Sequence, residues 1–172
     1  MRRVVVTGMG AITPIGNNVK ELFEGVKQGK CGVAPITHYD TTGRKVTLAA
    51  EVKDFDPLEH IEAPKLRKMD DFVVYALVAA KEAMLDSGLD IENEDANRCG
   101  VMVSSCIGGL TTIYNEAKKG IEKGFDRISP HFVPMAITNM AAGQIAIAHG
   151  FHGMCSTVVT ACASGTNAIG DA

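Results

Sequence analysis

The sequence carries no large excess of charge of one sign, no apolar run long enough for a bilayer and no paired-cysteine motif. Its 17 basic and 20 acidic side chains leave a net charge of −3, which gives no electrostatic reason to expect a nucleic acid or an anionic membrane as partner. The longest apolar run, Phe72 to Ala80, falls far short of a span, and Met1-Arg2-Arg3 leads into only three valines before Thr7-Gly8. That is too little for a signal-peptide core, so a cytoplasmic protein is expected. The five cysteines (Cys31, Cys99, Cys106, Cys155, Cys162) are odd in number and lack a C-x-x-C pair, the pattern of reduced thiols in a reducing compartment. His149, His152 and Cys155 fall every third residue, but Gly150 and Gly153 interrupt the spacing, and no metal site is expected. Gly8-Met9-Gly10 lacks the third glycine of a dinucleotide-binding turn, since Thr13 stands there and Pro14 and Gly16 follow. No cofactor is expected.

What is present is ordinary globular composition, 46% hydrophobic and 22% charged over 172 residues, enough for a buried core and read as one domain, 1–172. Arg3 to Val6 reads as a short strand running into the glycine turn. Asn17 to Gln28 then reads as a helix with Leu22, Phe23 and Val26 inward. Lys45 to Val52 reads as a strand, and Asp70 to Ser87 as the clearest helix, with Val73, Ala76, Leu77, Ala80 and Met84 on one face and Gly88 as its stop. Gly100 to Ser105 is nearly continuous apolar strand, as when both faces of a parallel sheet are buried, and runs into Cys106-Ile107-Gly108-Gly109. Leu110 to Gly124 reads as an amphipathic helix. Pro130 and Pro134 bracket a loop holding His131 and Phe132, and Ala136 to Ala148 is helical again. The order is that of a doubly wound α/β layer.

The chemistry concentrates at Val158-Val159-Thr160-Ala161-Cys162-Ala163-Ser164-Gly165. Met154 to Thr160 reads as a buried strand, and the small residues from Ala163 to Gly170 as a helix packed deep against neighbours. Cys162 therefore falls at or near a helix N-terminus, where unpaired backbone N–H groups and the helix dipole favour a thiolate. The same N–H groups suit an oxyanion forming on a carbonyl that the sulfur attacks. Without context, a buried and inert thiol is the competing reading.

Four motifs in order supply the context: Val4-Val5-Val6-Thr7-Gly8-Met9-Gly10 with Thr13-Pro14-Ile15-Gly16-Asn17; Ser105-Cys106-Ile107-Gly108-Gly109; Ser129-Pro130-His131-Phe132-Val133-Pro134; and Thr160-Ala161-Cys162-Ala163-Ser164-Gly165. With these the chain resembles, end to end, the N-terminal half of β-ketoacyl-acyl-carrier-protein synthases. The likeness is strongest to the elongating type II enzymes of bacterial fatty acid synthesis, in the thiolase-like superfamily. The resemblance implies half of a duplicated, layered αβαβα fold with a mixed, mostly parallel sheet. It also implies that Cys162 takes an acyl chain from acyl carrier protein as a thioester, which a carbanion from decarboxylated malonyl-carrier-protein then attacks. Ile107 and Phe132 match acyl-pocket positions, Phe132 reaching towards the partner subunit of a homodimer, with plain core packing as the competing reading. Lys65, Arg67 and Lys68 match positions that face the acidic carrier protein, although a solvated helix start would carry such charges too.

The family's two catalytic histidines and lysine lie downstream of the cysteine, whereas only ten residues follow Cys162 here. His38, His60, His131, His149 and His152 all precede it and match none of those positions. The resemblance thus implies a chain cut within the nucleophile helix, with the C-terminal half that carries the histidines supplied elsewhere. A non-catalytic partner of the chain-length-factor kind and a thiolase-type acyltransferase are the alternatives, and the cysteine itself speaks against the first. The 172-residue chain alone is expected to form no β-ketoacyl product, and measurable condensation by it would contradict this assignment.

Overall fold

A computed structural model describes residues 3–172. In chain order its main elements are α1 (Val19–Lys27), β1 (Val33–Pro35), β2 (Leu48–Ala50), α2 (Ala63–Leu66) and α3 (Asp71–Ser87). There follow β3 (Val101–Ser104), α4 (Leu110–Lys123), α5 (Phe132–Ala136), α6 (Met140–His149), β4 (Cys155–Val158) and α7 (Ser164–Asp171). The chain forms two compact units, one of residues up to Asp56 with Val78–Gly88, the other of Pro57–Leu77 with Leu89–Ala172.

In the first unit the expected N-terminal strand does not form: residues 3–12 have no regular structure, and Val4 and Val6 are 88% and 81% exposed. A strand needs a neighbour to take its backbone groups, and none is offered to these valines among the described residues. Gly8 and Gly10 serve close packing instead. A Cβ on Gly10 would sit 1.8 Å from the Ala79 carbonyl oxygen, and one on Gly8 2.2 Å from that of Ala83. The side chains of the same helix then hold the turn. Asp86 accepts from the Met9 N–H at 2.9 Å, while Glu82 accepts from Ala11 and from Val19, each at 2.9 Å. Asn18 caps α1 by accepting from the Glu21 N–H at 2.8 Å. Phe23 and Val26, expected inward, are exposed, because the buried position of α1 is Gly25, which lies against Ile15. The Lys27 ammonium covers the Phe23 ring at 4.5 Å. β1 and β2 pair antiparallel, Val33 with Ala50 and Pro35 with Leu48, so the strand expected over Lys45–Val52 is shorter.

The second unit is built on β3 and β4, which pair in parallel from Val101 opposite Cys155 to Ser104 opposite Val158. Both α6 and α7 pack on this pair. Small and branched residues fill the core: Val73, Val74, Val101, Ala136, Ala141, Ala142, Ile145 and Ala168 are buried. α5 starts inside the Pro130 to Pro134 segment, expected as loop, and Pro134 is tolerated because it occupies the third position of the helix, where a missing N–H leaves no bond unmade. α6 starts at Met140, later than the expected Ala136, since Ile137 is extended (φ −74°, ψ 141°).

One buried carboxylate organises the start of α4. Its cap residue, Gly109, has no side chain to satisfy the first-turn amides. Asp70 does so from outside, accepting from the Thr112 N–H at 2.9 Å and its hydroxyl at 2.7 Å. Replacing Asp70 by Ala strands two buried donors and is expected to lower stability by about 2–3 kcal/mol. Denaturant titration checks this, and a cycle with Thr112→Val should return a coupling of at least about 0.5 kcal/mol.

Candidate active site

Two adjacent parallel strands in register release their following loops at the same sheet edge, the place where open α/β sheets gather functional groups. After β3 comes the turn Ser105 to Gly109; after β4 come Val159 and Thr160, then a 3₁₀ turn, Ala161–Ala163, leading into α7. Cys162 is the middle residue of that turn and is exposed. It is thus presented on an elbow between strand and helix, as expected. The strand expected to be buried over Met154–Thr160, however, is the shorter Cys155–Val158, exposed to half-buried, and of the helix expected to pack deep only Ser164 and Ala168 are buried. Ala161 has φ 51°, a left-handed conformation that costs a residue with a Cβ about 1–2 kcal/mol.

The strain is held by side chains on both sides of the elbow. Ser164, 3% exposed, accepts from the Thr160 N–H at 2.7 Å, and the Thr160 hydroxyl donates to Asn167 Oδ1 at 2.9 Å. From the neighbouring loop, the Cys106 thiol donates to the Ala161 carbonyl at 3.0 Å and lies 3.7 Å from Ser164 Oγ. Sequence reading singled out neither Asn167 nor the tie through Cys106. Its available signal was a helix-start serine followed three residues later by asparagine, at helical spacing.

The loop carrying Ile107 is seated on α5, whose first residue is Phe132. Gly108 has φ 78°, and a Cβ there would come within 2.3 Å of the Ala136 carbonyl oxygen. Gly109 donates its N–H to the same oxygen at 3.0 Å, and Gly108 donates to Ser105 Oγ at 3.1 Å. Ile107 is 56% exposed and Phe132 half-buried. Entry into α5 is tied to α4 by Glu116, which accepts from the Ser129 N–H at 2.6 Å and from Lys119 at 3.2 Å. The Ser129 N–H, with Lys119 helping, holds the Glu116 carboxyl below its ordinary pKa.

The basic residues lie on and just after α2. Lys65 pairs with Glu62 at 3.5 Å, and Arg67 and Lys68 are exposed. Of the histidines, His131 precedes α5 and His149 ends α6, where burial pushes its pKa down. Among the described residues no group of three or more His, Cys, Asp or Glu is gathered as a metal site.

Residues 1–172 match the family described as Beta-ketoacyl synthase, N-terminal domain. The 3-oxoacyl-[acyl-carrier-protein] synthase 2 of Staphylococcus aureus (strain N315) is 48% identical over 171 residues, 99% of this chain and 41% of its own length. The Synechocystis protein of the same name is 42% identical, with the same coverage. The chain thus spans about two-fifths of the length of these relatives. Among solved structures, a type II PKS acyl-carrier protein in complex with its ketosynthase bound to the hexaketide contains a chain 32% identical, with a TM-score of 0.85, covering 100% of this chain and 46% of that one. The ishigamide ketosynthase/chain length factor matches at 31% identity and TM-score 0.84, covering 94% of this chain and 40% of that one.

Gly108→Ala adds a Cβ against a carbonyl at a left-handed position and is expected to cost at least about 2 kcal/mol by denaturant titration. For Glu116, a lowered folded-state pKa means a contribution fully present above the ordinary glutamate range and lost as pH falls through the lowered value. Thermal melts of wild type and Glu116→Gln should therefore differ at neutral pH and converge in acid.

Proposed function

We propose that this chain, which belongs to the β-ketoacyl synthase N-terminal domain family over all 172 residues, supplies the acyl-accepting thiol of a condensing enzyme of fatty acid or polyketide synthesis. The observation that carries the reading is Cys162 itself, exposed on a strained elbow that opens α7. The fold is thiolase-like α/β, as the ketosynthase structures at TM-scores of 0.85 and 0.84 support.

In the first half-reaction the Cys162 sulfur attacks the thioester carbonyl of an acyl chain on acyl carrier protein. The new C–S bond forms on the enzyme, the bond to the carrier breaks, and the carrier leaves as a thiol with the proton Cys162 gave up. In the second, malonyl-carrier-protein loses carbon dioxide. The electron pair of the broken C–C bond attacks the Cys162 thioester carbonyl and expels the sulfur, leaving on the carrier a β-ketoacyl chain two carbons longer. Each attack puts negative charge on a carbonyl oxygen. Of the amides at the start of α7, that of Ser164 donates to the Ala161 carbonyl, and the amides beyond it are proposed to stabilise that charge. Decarboxylation is proposed to need the histidines that the family resemblance places in the part of the relatives' length this chain does not span.

Acyl carrier protein is the proposed partner. A similar ketosynthase is solved in complex with one, and Lys65, Arg67 and Lys68 offer exposed positive charge in a chain of net charge −3. Ile107 and Phe132 are proposed to line the acyl chain's path, with Phe132 near the interface of a homodimer. The described residues include no helix long and apolar enough to cross a membrane, and a cytoplasmic enzyme is proposed. A non-catalytic, chain-length-factor-like role would leave Cys162 without use.

Cys162→Ala should abolish the acyl-enzyme adduct seen by intact-mass spectrometry after incubation with acyl-carrier-protein. In the wild type, iodoacetamide at neutral pH should label Cys162 before Cys31, Cys99, Cys106 or Cys155. Persistent acylation of the alanine variant, or faster labelling elsewhere, would overturn the assignment.

A further inference from the structure

The hydrogen bonds around Cys162 form a closed circuit, and one member comes from outside the elbow. The Thr160 N–H donates to Ser164 Oγ at 2.7 Å, and the Cys106 S–H donates to the Ala161 carbonyl at 3.0 Å. With the thiol proton so used, the 3.7 Å contact between Ser164 Oγ and Cys106 Sγ is left for the serine hydroxyl to donate. The path then runs from the Thr160 amide through Ser164 and Cys106 back to the Ala161 carbonyl. It encloses the peptide unit between Thr160 and Ala161 and ends on the carbonyl of Ala161, the residue directly before the nucleophile. Each bond polarises the next, so the circuit is worth more than its parts.

We infer that Cys106 is a positioning residue for Cys162. Resting on the proposed role of Cys162, the inference assigns to Cys106 the task of holding the Ala161 carbonyl from outside the elbow, beside the Ser164 N–H that donates to it from within, and with it the left-handed turn that aims the Cys162 side chain outward. Two features support a role beyond space-filling. Cys106 is exposed, so its side chain adds little to the core. Its acceptor belongs to one of two residues with a Cβ at positive φ among those described, where an extra bond offsets real strain. A thiol is a weak donor, so the effect is modest. Ile107 follows Cys106 directly, which ties the loop proposed to line the acyl path to the elbow through one side chain.

The test is the second-order rate at which iodoacetamide alkylates Cys162 in the folded protein, with each thiol resolved by mass spectrometry. It is made on wild type, Cys106→Ala, Cys106→Ser and Ser164→Ala. This readout needs no carrier protein and no condensation, so it is independent of whether Cys162 accepts acyl groups; loss of acylation in Cys162→Ala tests that separately. Cys106→Ala should slow labelling about two- to fivefold, the size of one weak hydrogen bond in a barrier. Ser164→Ala should slow it at least as much, and Cys106→Ser, whose hydroxyl can donate to the same carbonyl, should restore it. A merely structural role would lower the melting temperature without changing the labelling rate of the folded fraction. Labelling unchanged in Cys106→Ala overturns the inference, as does a serine variant as slow as the alanine one. Should Cys106→Ala fail to fold, the ratio of Cys106→Ser to Ser164→Ala decides: equal rates overturn the inference, and a faster serine variant supports it.

Discussion

The register between β3 and β4 is the constraint on which the site depends. Ser104 lies opposite Val158 in a parallel pair, so the two loops that follow leave the sheet side by side, and residue 106 meets residue 161. A slip of one residue would turn every side chain of one strand to the other face. It would also carry Cys106 away from the Ala161 carbonyl. Burial favours this register: Val101 is buried at its start, and α6, whose buried residues are Ala141, Ala142 and Ile145, packs on both strands. Alanine at these helix positions allows a close approach that larger side chains would prevent.

Around that sheet edge, close backbone contact and polar bonds replace bulky packing. Gly108 and Gly109 bring the loop against carbonyls of α5 so closely that a Cβ on either would come within 2.3 Å of one. The absence of a side chain at the α4 cap is met by Asp70, a buried carboxylate reaching in from the segment before α3. Ser164 does the same for the amide of Thr160. In each case a buried oxygen holds a backbone amide, and at the buried Thr112 removing it leaves donors with no water to replace it.

Much of this was legible in the sequence, for reasons that differ by residue. The run Val101 to Val103 is apolar, as expected of a strand covered on both faces, although Val101 is buried and Met102, Val103 and Ser104 are half-buried. The helix over Asp71–Ser87 is long and stopped by Gly88, whose φ of 65° is the conformation a glycine stop requires, but its buried side chains are Val73, Val74 and Val78, of which the expected face held only Val73. The placing of Cys162 between strand and helix followed from the change from β-branched to small residues. Valines 4–6 misled because β-propensity describes how a side chain fits a sheet and does not supply the neighbouring strand. Phe23 and Val26 misled because a glycine took the buried position of α1. Pro134 misled because proline breaks a helix interior but suits a first turn. The cap by Asp70 and the circuit through Cys106 join residues 42 and 55 positions apart, and no local pattern encodes such a pairing.

The elbow's dependence on polar bonds follows from how little of α7 is buried. Of its eight residues, Ser164 and Ala168 are buried, while Ile169 is 82% exposed. A serine and an alanine bury little apolar surface, and at ~25 cal/mol per Å² neither can supply much hydrophobic free energy. A left-handed residue immediately before the nucleophile works against that weak hold. The conformation therefore has to be secured by bonds that converge on it: Ser164 and Asn167 from the helix, Cys106 from the adjacent loop. Bonds of this kind are directional. They fix where Cys162 points without walling it in, which is what a thiol that must meet a carrier-bound thioester requires.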